Sequence, residues 1–208
     1  MILPCPACGA EVKFKSRTSL FQVCSFCTSM LVRTDVNIES IGKMASLAPD
    51  MSMIQIGTRG KFGKDFFEVI GKQRMHWEHG VWNEWYVYFE DGKNGWLAEA
   101  QGFTMISFLL NEVVKIPSLN SLSAGQEVMI KNDLFVVEDI KTATSLGGIG
   151  ELPAETFKGK ASTFVDLVGP NNKFASIDFT DSNPSLYMGS YVDFEAFHFE
   201  NLKELDGW

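Results

Sequence analysis

Val81-Trp-Asn-Glu-Trp-Tyr-Val-Tyr-Phe89, Glu90-Asp-Gly-Lys-Asn-Gly95 and Trp96-Leu-Ala-Glu-Ala100 read together as a β-hairpin. The first arm is aromatic and β-branched. Asp91-Gly92 and Asn94-Gly95 supply the positive φ angles that a tight loop requires. Alternation puts Trp82, Glu84, Tyr86 and Tyr88 on one face, and Trp85, Val87 and Phe89 on the other. With Glu90–Gly95 as the turn, Phe89 opposes Trp96, and Glu99 falls opposite Tyr86 on the face of Glu84 and Trp82. Carboxylates beside aromatic rings make a seat for a cation such as a polyamine or a lysine-rich peptide. Trp82, Glu84, Trp85, Tyr86, Trp96 and Glu99 are therefore the candidate ligand- or partner-binding residues. Asp91 reads more plainly as a turn residue and Glu90 as a solvated flank.

Outward from the hairpin the same chemistry continues. Ile54–Gly63 and Phe66–Gly71 are short β-runs punctuated by glycines, and Phe103–Leu110 extends the sheet beyond it. A second, weaker copy follows. Leu122–Ile130 and Leu134–Ile140 parallel Ile54–Ile70, and Ala161–Val168 with Lys173–Phe179 parallels the tryptophan hairpin. Generic hairpins would give a similar pattern, and two copies are too few for a solenoid. The loop of the second copy is expected at Thr142–Phe157. Its Gly147-Gly-Ile-Gly150 lacks the Lys-Ser/Thr sequel of a phosphate loop, so it reads as a mobile surface segment. In the tail, Val192, Phe194 and Ala196 alternate like a strand, and Trp208 is expected to dock onto the body.

The chain has four cysteines, spaced as Cys5-Pro-Ala-Cys8-Gly9 and Cys24-Ser-Phe-Cys27-Thr28. Two C-x-x-C turns flanking short strands are the pattern of a zinc ribbon. Paired disulfides would suit a secreted chain, and no signal peptide precedes Cys5. A redox C-x-x-C would need a βαβ context, which is missing. Cys5, Cys8, Cys24 and Cys27 are assigned to one structural Zn²⁺, which all-thiolate ligation leaves with no open position for chemistry. Chelation or Cys24→Ser is expected to unfold this head and to leave the β-body folded.

Composition narrows the function. The net charge is −8. Residues 1–34 carry +3 while residues 112–208 carry −8. A surface built for phosphate backbones would be basic throughout, which argues against nucleic acid as a partner. No apolar run reaches the roughly 18 residues of a membrane span, and the expected location is cytoplasmic. A hydrolytic enzyme would need a nucleophile with a base, and the histidines are His76, His79 and His198. On a helix His76 and His79 could share a metal, but Met75 and Gly80-Val-Trp82 predict a turn or loop there. The reading is of a non-catalytic protein.

Phe67-Glu-Val-Ile-Gly71, Trp82-Asn-Glu-Trp85-Tyr and Phe89-Glu-Asp-Gly92, then Gly95-Trp-Leu-Ala-Glu-Ala-Gln-Gly102, resemble the bacterial family catalogued as domain of unknown function 4178. The resemblance is specific over Met53–Gly102 and weaker, but in register, to Trp208. It implies a zinc ribbon as a common N-terminal companion and transfers no catalytic residue. It also implies membrane-associated partners, including ion-channel-like and phage-shock-like proteins, and a neighbourhood of polyamine-biosynthesis-like enzymes. That makes an accessory or adaptor protein of a bacterial stress or envelope system, at the inner membrane face. A sensor or uncharacterised enzyme for a cationic small molecule is the alternative. The expected architecture is mainly β: a four-cysteine zinc ribbon (1–34), a connector (35–49), and two small tandem β-barrel or sandwich-like domains (50–115 and 116–208) related by pseudo-duplication.

Overall fold

The computed structural model describes residues 2–34, 37–44, 47–100, 102–153 and 159–205. Fifteen strands are formed among them: β1 (Ile2–Pro4), β2 (Glu11–Lys13), β3 (Phe21–Val23), β4 (Ser29–Arg33), β5 (Ile38–Lys43), β6 (Arg59–Phe62), β7 (Asp65–Trp77), β8 (Gly80–Phe89), β9 (Asn94–Ala100), β10 (Phe103–Leu109), β11 (Glu127–Ile130), β12 (Asp133–Leu152), β13 (Ala161–Val168), β14 (Lys173–Asp178) and β15 (Ser185–Tyr191). The mainly-β expectation holds, and so does the duplication. A short hairpin strand leads into a four-stranded antiparallel meander twice, as β6 then β7–β10, and as β11 then β12–β15. Each long first strand carries a bulge at the same place. Ile70 is skipped between Val69 and Gly71, and Glu138 between Val137 and Asp139.

The two meanders meet edge to edge. Strand β10 pairs with its counterpart β15, and β7 with its counterpart β12, closing an eight-stranded barrel in the order β7-β8-β9-β10-β15-β14-β13-β12. This gives the geometry of a two-fold dimer within one chain. Closure satisfies the edges that each half would otherwise expose. Both seams need a glycine. A Cβ on Gly71 would lie 1.7 Å from the Glu151 carbonyl oxygen, and one on Gly189 would lie 1.7 Å from that of Ile106. The glycine-rich stretch read as a loop is part of this seam. Residues Ser145–Gly150 of β12 pair with Met75–Gly71 of β7, and Gly150 has φ +71° with no room for a side chain beside the Ile70 carbonyl. The glycines permit close backbone approach instead of a surface excursion. Residues 154–158 of that predicted loop lie outside the described residues.

The apolar faces of the two meanders point outward, and each has its own cover. Phe67, Val69, Trp85, Val87, Phe89, Leu97 and Ile106 bury against Ile54 and Phe197. Phe135, Val137, Val165, Leu167, Ala175, Ile177 and Leu186 bury against Leu122, Val128 and Ile130. The tail does dock, but not as a strand. Phe194–Phe197 is a 3-10 turn with Phe197 fully buried, and Phe199 stacks on it with ring centroids 5.1 Å apart. Trp208 lies outside the described residues. The inward faces enclose a cavity of about 1280 Å³ between the halves.

The head is sewn onto this barrel. Strands β1 and β2 form one hairpin and β3-β4 the other. Part of the predicted connector forms β5, which pairs with β4. Strand β3 adds to the far end of β12, Gly150–Leu152 against Val23–Phe21. The buried Glu151 carboxylate accepts the backbone N–H groups of Lys15 and Ser16 at 2.6 and 3.0 Å. Among the described residues, no helix is long and apolar enough to cross a membrane, which says nothing about crossing by strands.

Candidate functional site

The four cysteines come together as their spacing predicts. Their sulfurs all lie within 4.8 Å of one another, with Cys5–Cys27 and Cys8–Cys24 each 3.8 Å apart. Tetrahedral ligation with metal–sulfur bonds of about 2.3 Å requires sulfur–sulfur separations of about 3.8 Å, so the set fits one four-coordinate metal. Two matching knuckles present it. Gly9 N–H returns to the Cys5 carbonyl and Thr28 N–H to the Cys24 carbonyl, at 2.8 and 2.9 Å. The second knuckle lacks a glycine yet keeps the glycine conformation, since Thr28 has φ 57° where Gly9 has 77°. A β-branched residue is strained there. Thr28→Gly is therefore expected to stabilise the head by about 0.5–1 kcal/mol after the entropy cost of glycine. A chelator titration read by sulfur–metal absorbance after cobalt loading would show it as slower or later metal loss.

The tryptophan hairpin divides its candidates between two faces. Trp82, Glu84 and Trp96 line the barrel cavity. Tyr86, on the same face, is buried and tilted against Trp96 at 4.9 Å, and its hydroxyl meets Thr18 Oγ1 of the head at 3.4 Å. Trp85 points the other way into the outer apolar layer, with Lys72 Nζ 4.1 Å from its ring centroid. Glu99 goes with Trp85 and not with Glu84. The observed register pairs Tyr88 with Asn94, Tyr86 with Trp96 and Asn83 with Glu99. The hairpin turns at Phe89–Lys93, closed by Phe89 N–H to the Lys93 carbonyl at 2.9 Å, which is tighter than the Glu90–Gly95 turn expected. The slip is odd-numbered and so moves Glu99 to the opposite face. There its carboxylate accepts Trp85 Nε1–H at 3.3 Å, beside the buried Lys72 and Arg74 that pair with Asp50. Glu99 belongs to a structural polar layer.

The second half supplies the rest of the cavity, which the sequence did not single out. Phe164 and Asp166 stand on β13, Ser176 and Asp178 on β14, Tyr187 and Tyr191 on β15, and Asp139 and Lys141 on β12. The available signal was an aspartate at Asp166 amid Val165 and Leu167, the same polar-in-apolar alternation that drew attention to Glu84.

Electrostatics inside the cavity are one-sided. The Glu84 carboxylate accepts Trp82 Nε1–H at 2.9 Å and the Gln73 amide N–H. Burial raises its pKa above the ordinary carboxylate range, those two hydrogen bonds pull it back, and Asp178 and Asp166 push it up further. The Tyr187 hydroxyl is pushed up to about 12 by burial, with the negative charges of Asp178 and Glu84 adding to it. Lys141 has the opposite sign. Burial opposes its charge, but Asp166 and Asp139 outweigh burial and raise its pKa. His76 and His79 end up at the β7–β8 turn, with the His79 ring edge-on to Trp77 at 4.9 Å.

Fold and site together define a closed antiparallel β-barrel with an acidic, aromatic interior and, in a strand-added head, a cluster of four thiols that could hold a metal. The barrel half is a family domain: the chain belongs to the family described as domain of unknown function (DUF4178), whose model matches residues 55–194. No curated protein and no solved structure matches the chain.

Proposed function

We propose that this protein is a non-catalytic binding protein whose barrel takes up a cationic small molecule, of which a linear polyamine is the type. The head carries a structural Zn²⁺ on Cys5, Cys8, Cys24 and Cys27. The observation that carries the reading is the charge balance of the cavity. Among the described residues that line it, eight are carboxylates and two are lysines. One of those lysines, Lys141, is already paired with Asp139 and Asp166. Aromatic faces from Trp77, Trp82, Trp96 and Phe164 stand among the acids, and ring faces with desolvated carboxylates attract ammonium groups. The zinc serves the fold only, because four thiolates fill its coordination sphere. Calorimetric titration with spermidine tests the reading. Saturable binding in the micromolar range is expected, and absence of heat at millimolar ligand contradicts it.

A protein-adaptor role is the second reading, with a membrane-associated partner at the cytoplasmic face. It draws support from Phe26, which is 79% exposed on the second metal knuckle, and from Ile2, also exposed on the head. Specific proteins retained from native membranes by the wild type and lost with Phe26→Ala would favour it.

A further inference from the structure

Lys141 is a primary alkylammonium group held inside the barrel. Its Nζ lies 2.5 Å from Asp166 Oδ2 and 3.4 Å from Asp139 Oδ2. The same nitrogen stands 5.4 Å from the Trp82 ring centroid and 5.7 Å from that of Trp77. Asp166 is further fixed by the Ser176 hydroxyl at 2.7 Å, and Trp82 by an edge contact with Phe164 at 6.3 Å. Two indole faces and two oriented carboxylates thus surround one –NH₃⁺ at the end of an alkyl chain. That is the end group of an aliphatic amine, and the cage around it is complete.

Among the described residues, three further carboxylates that line the cavity are held differently. Glu84 is bonded to Trp82 and Gln73, Asp178 to Thr180, and Glu138 to the Tyr191 hydroxyl. Each of these partners is neutral. Lys141 therefore neutralises only part of an interior whose carboxylates influence one another, since Asp166 and Asp178 both bear on Glu84.

Resting on the cation-binding reading of the cavity, we propose that Lys141 is a resident stand-in for the ligand. A ligand with two or more primary ammonium groups binds by exchange. One ammonium replaces the Lys141 head between Trp82, Trp77, Asp166 and Asp139, and another is neutralised by Glu84 and Asp178. The released lysine turns on its four-methylene stem toward solvent, so a ligand with two ammonium groups adds one net positive charge and moves the acidic interior toward balance. The cage also sets selectivity. Asp166 and Asp139 accept N–H donors from the bound head group, so primary ammonium is preferred to quaternary ammonium, which offers none.

The test compares the wild type with Lys141→Met, which keeps the stem and deletes the competing charge. Each is titrated with spermidine and with choline. Spermidine is expected to bind Lys141→Met at least tenfold more tightly than the wild type, and choline to bind neither. Wild-type binding with equal or weaker binding by Lys141→Met would overturn the exchange while leaving the cation-binding reading intact. Failure of both proteins to bind spermidine would overturn the reading itself. A measurement on the wild type alone covers the case in which Lys141→Met does not fold. Free spermidine also consumes acetic anhydride, so the reading is a ratio: acetylation of Lys141 relative to the exposed Lys93 of the same sample, from limiting anhydride and peptide mass spectrometry, should increase when spermidine is bound. Increased protection would contradict the exchange.

Discussion

Replacing Cys24 with serine, or stripping the metal with a chelator, is expected to unfold the head at 25 °C and to lower the thermal midpoint of the barrel by about 5–15 °C. The first effect follows from size. Phe14, Val12, Leu31 and Ile38 make a small core around the cysteines, and a core of this kind needs the metal that the four thiols could hold, whose binding would supply on the order of 10 kcal/mol. The second effect follows from the seam between head and barrel. Strand β3 contributes three register pairs to the end of β12, and Leu152 there is 1% exposed. Loss of the head also removes the Lys15 and Ser16 amides from Glu151 and the Thr18 hydroxyl from Tyr86. Losses of this kind sum to about 2–4 kcal/mol, or several degrees for a chain of this size. The barrel itself should persist, because the β7–β12 pairing that closes it lies at Ser145–Gly150 and involves no residue of the head. Circular dichroism melts with limited proteolysis would read both effects. An unchanged barrel midpoint would mean that head and barrel are independent, and complete collapse at 25 °C would mean that they form one cooperative unit.

Glu84→Gln is expected to weaken spermidine binding by about 100-fold or more, which is about 2.7 kcal/mol, while making the protein more stable at neutral pH. The two effects share one cause. Glu84 is ringed by Gln73 on β7, Trp82 on its own strand, Asp166 on β13, Asp178 on β14 and Tyr187 on β15, with Lys141 on β12 already committed to Asp166. In the apo protein its charge is disfavoured by burial, so its folded-state pKa stands above the unfolded value. The sign then follows. Between those two values the folded state holds a proton that the unfolded chain has lost, so stability declines as pH rises through the window. The neutral amide removes that penalty and should raise the midpoint by about 3 °C or more. With ligand present the sign reverses, because an ammonium needs the ionised carboxylate. Wild-type affinity should therefore fall on acidification before ordinary carboxylates titrate, and Glu84→Gln should lose that part of the pH dependence. Equal affinity for the two proteins across pH would remove Glu84 from the site.

Local chemistry in this chain was legible from the residues. The cysteine spacing defined both knuckles, and alternation along β8 correctly separated Trp82 and Glu84 from Trp85, Val87 and Phe89. The hairpin register was not legible to the same depth. Asp91-Gly92 and Asn94-Gly95 are both good turn pairs, and choosing between them moves Glu99 across the sheet. The glycines at 147, 148 and 150 looked like a loop because glycine usually marks one. Here they serve a seam whose other strand, β7, lies far away in sequence, and no local pattern encodes that meeting. The repeat was visible, but not that its copies join through counterpart strands to enclose a cavity. Lys141, Asp166 and Asp178 were missed for that reason: each is an ordinary polar position of a half-buried strand until the barrel turns it inward.

The proposed cation site between the two halves is tested most directly by a crystal structure of the protein soaked in spermidine. An extended ligand is expected inside the barrel, with one ammonium between Trp82 and Asp166, another within hydrogen-bond distance of Glu84 or Asp178, and the Lys141 head group displaced. Spermidine bound only on the outer surface, with Lys141 still between Asp166 and Asp139, would contradict it.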